Sequence, residues 1–196
     1  MKKKNLFAVI LFLIVIFNAR AQEKPITYGK AGDFDLSTGF SGSQSVNSPE
    51  VKQWALRILP YANHFLWDNI FLRYDMGISV THTSAYYILG NNYTLWSFNP
   101  GLAVGYSFSI SERWRFNISA GYLGTFYQYF YNHSASNFGG IHTAGVFYPE
   151  LKYLLTDRWN LSLMIQTITN WPTRVFGSSQ SFIVTTQAFI VAGYSF

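Results

Sequence analysis

WSFNPGLAVGYSF, residues 96–108, decides the fold of this chain. Its even positions are Trp96, Phe98, Pro100, Leu102, Val104, Tyr106 and Phe108; its odd positions are Ser97, Asn99, Gly101, Ala103, Gly105 and Ser107. Side chains of a β-strand alternate between two faces, so this run puts every large apolar group on one face and every small or polar group on the other. A helix, with its period of 3.6, scatters the same residues around its axis.

Seven further stretches share the period: 32–42, 52–66, 69–82, 113–130, 140–155, 158–170 and 181–196. With 94–108 they make eight strands, the number that closes the smallest common membrane barrel. Six tryptophans support this reading. Trp54, Trp96 and Trp171 fall at one end of the expected strands, Trp67, Trp114 and Trp159 at the other. Trp sits best where an apolar ring meets a wet edge, so two such belts bracket a bilayer as aromatic girdles. The expected fold is all-β, an eight-stranded antiparallel up-and-down transmembrane β-barrel.

Connections alternate in character. Short charged turns at 67–69, 111–113 and 156–158 are separated by longer stretches at 43–51, 83–93, 131–139 and 171–180. Outer-membrane barrels have short periplasmic turns and longer external loops, so both termini are expected on the periplasmic side. Pro60, Pro100 and Pro149 fall on outward positions of the second, fourth and sixth strands, where each removes a ladder donor. Bulges or local ladder breaks are expected there.

The chain opens with Lys2, Lys3 and Lys4, an apolar run from Leu6 to Phe17 and the small-x-small triplet Ala19-Arg20-Ala21. Residues 1–21 therefore read as a secretory signal peptide, too short in its apolar part to span a bilayer. Residues 22–31 read as a periplasmic arm and 32–196 as the barrel. Of the chain's 14 basic residues the signal carries Lys2, Lys3, Lys4 and Arg20, leaving ten against nine acidic ones. The basic balance belongs to export, and nucleic-acid binding loses its support. With no cysteine, neither a lipid-attachment thiol, a disulfide nor a cysteine metal site is on offer.

Charges inside the expected strands fall on the inward parity: Asp33, Asp35, Arg57, Arg73, Asp75, Arg115, Glu150 and Lys152. Facing lipid, a midplane Lys or Arg costs about 2–4 kcal/mol. Apart from Arg57 these charges lie within about six residues of the periplasmic end of their strands, and an eight-stranded interior is only wide enough to be filled by side chains, so these residues are expected to form a neutralised ion-pair and hydrogen-bond network plugging the periplasmic half. Leu59, Tyr61, Leu123, Tyr127 and Tyr129 lie higher on the same face, as packed interior groups or the walls of a shallow pocket for a small hydrophobic molecule.

Candidates for chemistry are few. His133, Ser134 and Ser136 lie in the third external loop, and His142 follows it. No carboxylate pair, phosphate-cradling glycine loop or metal cluster stands out, and no cofactor or metal is expected. Tyr86, Tyr87, Tyr93, Tyr131, Asn91, Asn92 and Asn132 give the outer loops an aromatic, amide-rich character.

On these marks the chain resembles the small eight-stranded outer-membrane proteins of Gram-negative bacteria, the OmpX, OmpW and OmpA transmembrane-domain type. Tyr194 and Phe196 match the alternating aromatics of that group's C-terminal assembly signal, with Gly193 displaced from the usual glycine position. The resemblance implies folding by the barrel-insertion machinery and a setting of outer-membrane lipids and lipopolysaccharide. The segment His133 to Asn137 is similar to the His-x-Ser-Asn motif of lipid A deacylase barrels, but its spacing is His-x-x-Ser-Asn. The leading expectation is an integral outer-membrane barrel with a largely occluded, porin-like lumen and a non-enzymatic structural, accessory or surface-interaction role, with an outer-membrane protein complex as a possible setting. The alternatives are binding or transport of a small hydrophobic molecule, and a lipid A-modifying hydrolase.

Overall fold

The computed structural model describes residues 28–48, 51–85, 92–131, 138–170 and 183–196. Eight strands follow in chain order: β1 (Phe34–Ser48), β2 (Val51–Trp67), β3 (Ile70–Ala85), β4 (Tyr93–Ser109), β5 (Trp114–Tyr131), β6 (Phe138–Leu154), β7 (Trp159–Asn170) and β8 (Ile183–Ser195). Each pairs antiparallel with the next, and β8 returns to β1 to close the barrel. Closure removes the sheet edge that hydrocarbon cannot hydrogen-bond. Following partners around the wall from Asp35 to Asn63, Arg73, Ala103 and onward to Thr185 leads, by extension of the β8–β1 register, to Ser45. That ten-residue stagger over eight strands corresponds to a tilt of about 40°.

Alternation sorts the two faces. Leu36, Phe40, Leu56, Met76, Leu102, Val104, Leu163 and Ile190 are exposed on the outside, Ile190 to 70% of its area. Such a continuous apolar band is far larger than a water-facing surface tolerates. No helix among the described residues is long and apolar enough to cross a membrane; the strands themselves cross it.

The stretch 43–51 differs from expectation. Ser43 to Val46 pair with Ala55 to Lys52, and Ser48 pairs with Val51 across a shift in register, so two strands extend into what reads as a loop. Small polar residues at both parities carry no alternation, because a strand without a lipid face needs none.

At the three prolines the structure gives ladder breaks rather than bulges. Between β2 and β3 the pairs jump from Ile58–Ile78 to Tyr61–Asp75, between β4 and β5 from Phe98–Phe126 to Gly101–Leu123, and between β6 and β7 from Phe147–Thr167 to Glu150–Met164. Register is unchanged across each gap. In every case the missing pairs lie toward the following strand, whereas the proline still pairs with the preceding one. The bulges fall elsewhere, at Val46/Ser48 and at Phe65/Trp67.

Candidate functional site: the filled lumen

Below the strands, Tyr28 to Asp33 fold across the barrel mouth, and residues 22–27 of the expected arm lie outside the described residues. Gly29 and Gly32 have φ of 83° and 93°, which favours glycine, and Asn69 in the β2–β3 turn has φ of 67°. This geometry lets Asn69 N–H donate to Gly29 O at 2.7 Å and Gly32 N–H to Phe65 O at 2.8 Å. Asp68 Oδ1 accepts from Ala31 N–H at 3.1 Å, and its Oδ2 meets Lys30 Nζ at 3.3 Å. The Ala31 amide, and then Lys30, hold the Asp68 carboxyl below the usual aspartate range. Tyr28 is thereby pushed into the lumen, where its ring packs edge-on against Phe65 and joins Phe71 and Leu154 in an apolar floor.

Immediately above lies a charged layer. Lys152 Nζ donates to Asp35 Oδ2 and to Tyr28 Oη, the latter at 3.1 Å, and lies 3.6 Å from Glu150 Oε1. Asp35 also accepts from Tyr28 Oη, Asn63 Nδ2 and Asn160 Nδ2 at 3.1–3.3 Å. Glu150 accepts from Tyr61 Oη at 2.6 Å, Ser162 Oγ at 2.5 Å and Asn117 Nδ2 at 3.1 Å. Arg73 Nε donates to Asp75 Oδ1 at 2.8 Å, and its guanidinium lies between the rings of Tyr61 and Tyr148, 3.6 and 4.1 Å from their centroids. All five charged groups are at most 2% exposed. Buried charges are tolerable only when paired and hydrogen-bonded, which dense partnering here supplies.

A second apolar layer follows: Leu59, Leu123, Val146, Met164, Phe189 and Val191 close over the charges. Gly105 makes the packing possible below it, since a Cβ there would collide with the Phe71 ring.

Of the eight charged positions singled out by parity, Asp35, Arg73, Asp75, Glu150 and Lys152 therefore meet. Three do not join them. Asp33 precedes β1 and caps the turn below it, accepting from Lys30 N–H at 2.9 Å. Arg115 is buried at the rim, its Nη1 donating to Ser109 Oγ at 2.8 Å and to the Ser111 carbonyl. Arg57 lies higher, beyond the second apolar layer. The buried set thus holds three acids and two bases rather than four of each. Lys52 is an exposed outward charge at the upper end of β2, beyond Trp54.

The upper-lumen candidates Leu59, Tyr61 and Leu123 are at most 2% exposed, and Leu59 and Leu123 line a small cavity beneath Arg57. Sequence reasoning missed Tyr28, Asn63, Asn117, Asn160 and Ser162. The last four were readable as polar residues on the inward parity; Tyr28 belongs to no strand and carries no such signal. His133, Ser134, Ser136, Trp171, Tyr86, Tyr87, Asn91 and Asn132 lie outside the described residues, as do the side chains of Tyr129, Tyr131 and His142. Among the described residues no group of three His, Asp or Glu could hold a metal ion.

Fold and surface define the class: an integral outer-membrane β-barrel of the small Gram-negative type. Residues 41–140, just over half of the chain, match the family described as Protein of unknown function (DUF3575), and the protein belongs to that family. Among curated proteins none matches the sequence. Among solved structures it is similar to the outer membrane protein OprG from Pseudomonas aeruginosa, at 13% identity and a TM-score of 0.62 over 86% of this chain and 97% of that one. It is also similar to Ail, the attachment invasion locus protein of Yersinia pestis, at 10% identity and a TM-score of 0.51 over 85% and 99%. At these identities the likeness is one of fold alone.

Proposed function

We propose that the protein is a non-enzymatic, non-conducting outer-membrane barrel, a structural, accessory or surface component that works through its external side. The observation that carries this reading is the sealed lower lumen: an apolar floor, a charged layer and a second apolar layer stacked across an eight-stranded interior. Water and ions have no continuous path through such a stack, and its charges are committed to one another.

In this reading the termini and the short turns face the periplasm. Trp67, Trp114 and Trp159 stand at strand ends beside those turns, and Trp54 and Trp96 are the fourth residues from the opposite ends, all exposed outward. They form the two interfacial girdles in contact with lipid and, on the outer side, lipopolysaccharide. Tyr194 and Phe196, rings 4.9 Å apart beside Trp159 and Phe34, are the aromatics the insertion machinery reads.

Planar-bilayer recording tests the reading. Reconstituted protein is expected to show no steady conductance above the bare membrane; steady, sizeable open-channel current would refute the seal. On intact cells, an epitope placed after Ala21 is expected to stay hidden from antibody until the outer membrane is permeabilised, and labelling without permeabilisation would refute the orientation.

A further inference from the structure

Charge is shared unequally between the two rims of the barrel. At the rim of short turns, bases stand beside acids: Lys30 Nζ lies 3.3 Å from Asp68, and Glu112 and Asp157 directly precede Arg113 and Arg158. Every carboxylate among the described residues lies in the charged layer or below it. The opposite rim carries a cation with no such neighbour. Lys52, exposed and outward near the end of β2, forms no ion pair with any described carboxylate. Elsewhere around that rim the described outward positions are uncharged, with Gln128 and Phe130 on β5, Thr167 and Thr169 on β7, and Val184 and Thr186 on β8. The positive sector is confined to β2–β4.

Around Lys52 the register gathers polar side chains on the outer face. Ser84 is its direct partner on β3 and His82 its diagonal neighbour; Trp54 pairs with His82, and His82 with Thr94 on β4. Direct partners stand about 4.5–5.5 Å apart and diagonal ones about 7–8 Å, within reach of a lysine side chain. The His82 ring is bonded at both nitrogens, Nδ1 with Thr94 Oγ1 at 3.0 Å and Nε2 with Ser84 Oγ at 3.3 Å, and lies 5.8 Å from the Trp54 ring. A neutral imidazole donates through one nitrogen only, so one of the two hydroxyls accepts from it and keeps its own O–H to donate outward. An ammonium and an outward-donating hydroxyl side by side are a ready seat for an anion. Directly beneath, Leu56, Ile78 and Phe98 are exposed and apolar. A charged head with an apolar track below it describes a lipid rather than a free ion.

We propose that Lys52, Ser84 and Thr94, with His82 fixing the two hydroxyls, hold the phosphate of one outer-leaflet glycolipid whose acyl chains run down the β2–β4 wall. The inference rests on the orientation proposed above, which sets this rim in the outer leaflet. A phosphate monoester, with three strong acceptor oxygens and nearly two charges, matches an ammonium and a hydroxyl together; the diester of a phospholipid offers less of both. Trp54 gives an apolar face to the sugar that carries the phosphate.

The test is native mass spectrometry of the full barrel released from phosphatidylcholine vesicles that contain a small share of phosphorylated lipid A. One lipid A per barrel is expected to stay with the native protein. Enzymatic removal of the lipid's phosphates, or Lys52→Gln combined with His82→Gln, is expected to lower retention about tenfold or more, the weight of a charge-assisted contact. Arg113→Gln, at the opposite rim, should leave it unchanged. Folding of each variant is checked by its heat-dependent gel mobility. Equal retention of the dephosphorylated lipid, or equal retention by the double variant, overturns the site. A loss in Arg113→Gln as large as in the double variant also overturns it, since binding then follows overall charge. Displacement of the lipid by excess inorganic phosphate overturns the lipid as occupant. An epitope after Ala21 that is exposed on intact cells refutes the orientation beneath this inference; with that epitope hidden, a negative lipid result sinks the glycolipid site alone.

Discussion

Lys152→Met is the most informative single change, because it removes the charge and keeps most of the stem. Lys152 Nζ is shared by Tyr28 Oη, Asp35 and Glu150 and has no exposure to water, so solvent cannot screen the loss. In its absence Asp35, Glu150 and Asp75 face one cation, Arg73, which already sits on Asp75. Removing one partner of a buried pair costs about 3–5 kcal/mol, mainly for the charge left behind. Against a typical total stability of about 5–15 kcal/mol this is a large fraction. Urea unfolding in lipid vesicles, followed by tryptophan fluorescence, measures it. The double variant Asp35→Asn, Lys152→Met removes one acid along with the base and should recover more than half of the loss, a coupling of about 2 kcal/mol or more between the two sites. A loss below about 1 kcal/mol for Lys152→Met, or a double variant no better than the sum of the singles, would refute the charged layer as the structural centre of the lumen.

Gly121→Ala should destabilise by about 3 kcal/mol or more in the same assay, since its Cβ would meet the Leu102 carbonyl and lie 2.5 Å from Ala103 Cα, both backbone. Gly42→Ala, with its nearest atom 3.8 Å away, should change stability by less than about 0.5 kcal/mol. Because folding lowers the Asp68 pKa, its contribution is present above the ordinary aspartate value of about 3.9 and fades as pH falls through the lowered one. Hydrogen exchange of the Ala31 and Gly32 amides should therefore accelerate at acid pH below that value, and Asp68→Asn should abolish the pH dependence. Pro149→Ala supplies an N–H toward β7, and closing the break should add about 0.5–1.5 kcal/mol of ladder bonding, with slow exchange of the introduced amide; rapid exchange there would show that the break has another cause.

The wall was legible in the sequence because lipid enforces its period. Strands expected at 113–130 and 158–170 are Trp114–Tyr131 and Trp159–Asn170 in the structure. Where lipid exerts no such pressure the pattern fails, as at 43–51, where both faces are polar and the strands run on regardless. Parity also says which residues look inward but not which of them meet. Arg73 and Arg115 share a parity and lie close to the short turns, yet Arg73 enters the charged layer while Arg115 stops at the rim. Asp33 shows the opposite error, parity carried past the first residue of the strand. Tyr28, which completes the floor, reaches the lumen only because two glycines and Asn69 bend the chain beneath the barrel, and no period announces that.

The prolines make sense once the two halves of the lumen are distinguished. Each break leaves an inward residue without its ladder partner: Leu59 opposite Gly77, Asn99 opposite Thr125, Tyr148 opposite Gln166. Leu59, Gly77, Asn99 and Gln166 all line the cavity at Arg57. Side-chain bonds stand in beside the missing backbone ones, with Asn99 Nδ2 donating to Gly77 O at 3.4 Å and Gln166 Nε2 to Tyr148 Oη at 3.2 Å. The ladder is thus interrupted on three seams at the height of the small cavity beside Arg57, and pairing on a fourth seam, β1 to β8, stops at Phe40–Ile190. Below that height the Lys152–Asp35 pair ties β6 to β1 across the lumen, and the Tyr61 hydroxyl on β2 reaches Glu150 on β6. Above it no ion pair among the described residues spans the interior, and the wall carries fewer backbone bonds at four of its eight seams. A proline does this more cheaply than a bulge, because it removes a donor without adding a residue and leaves the inward and outward faces of the strand unexchanged.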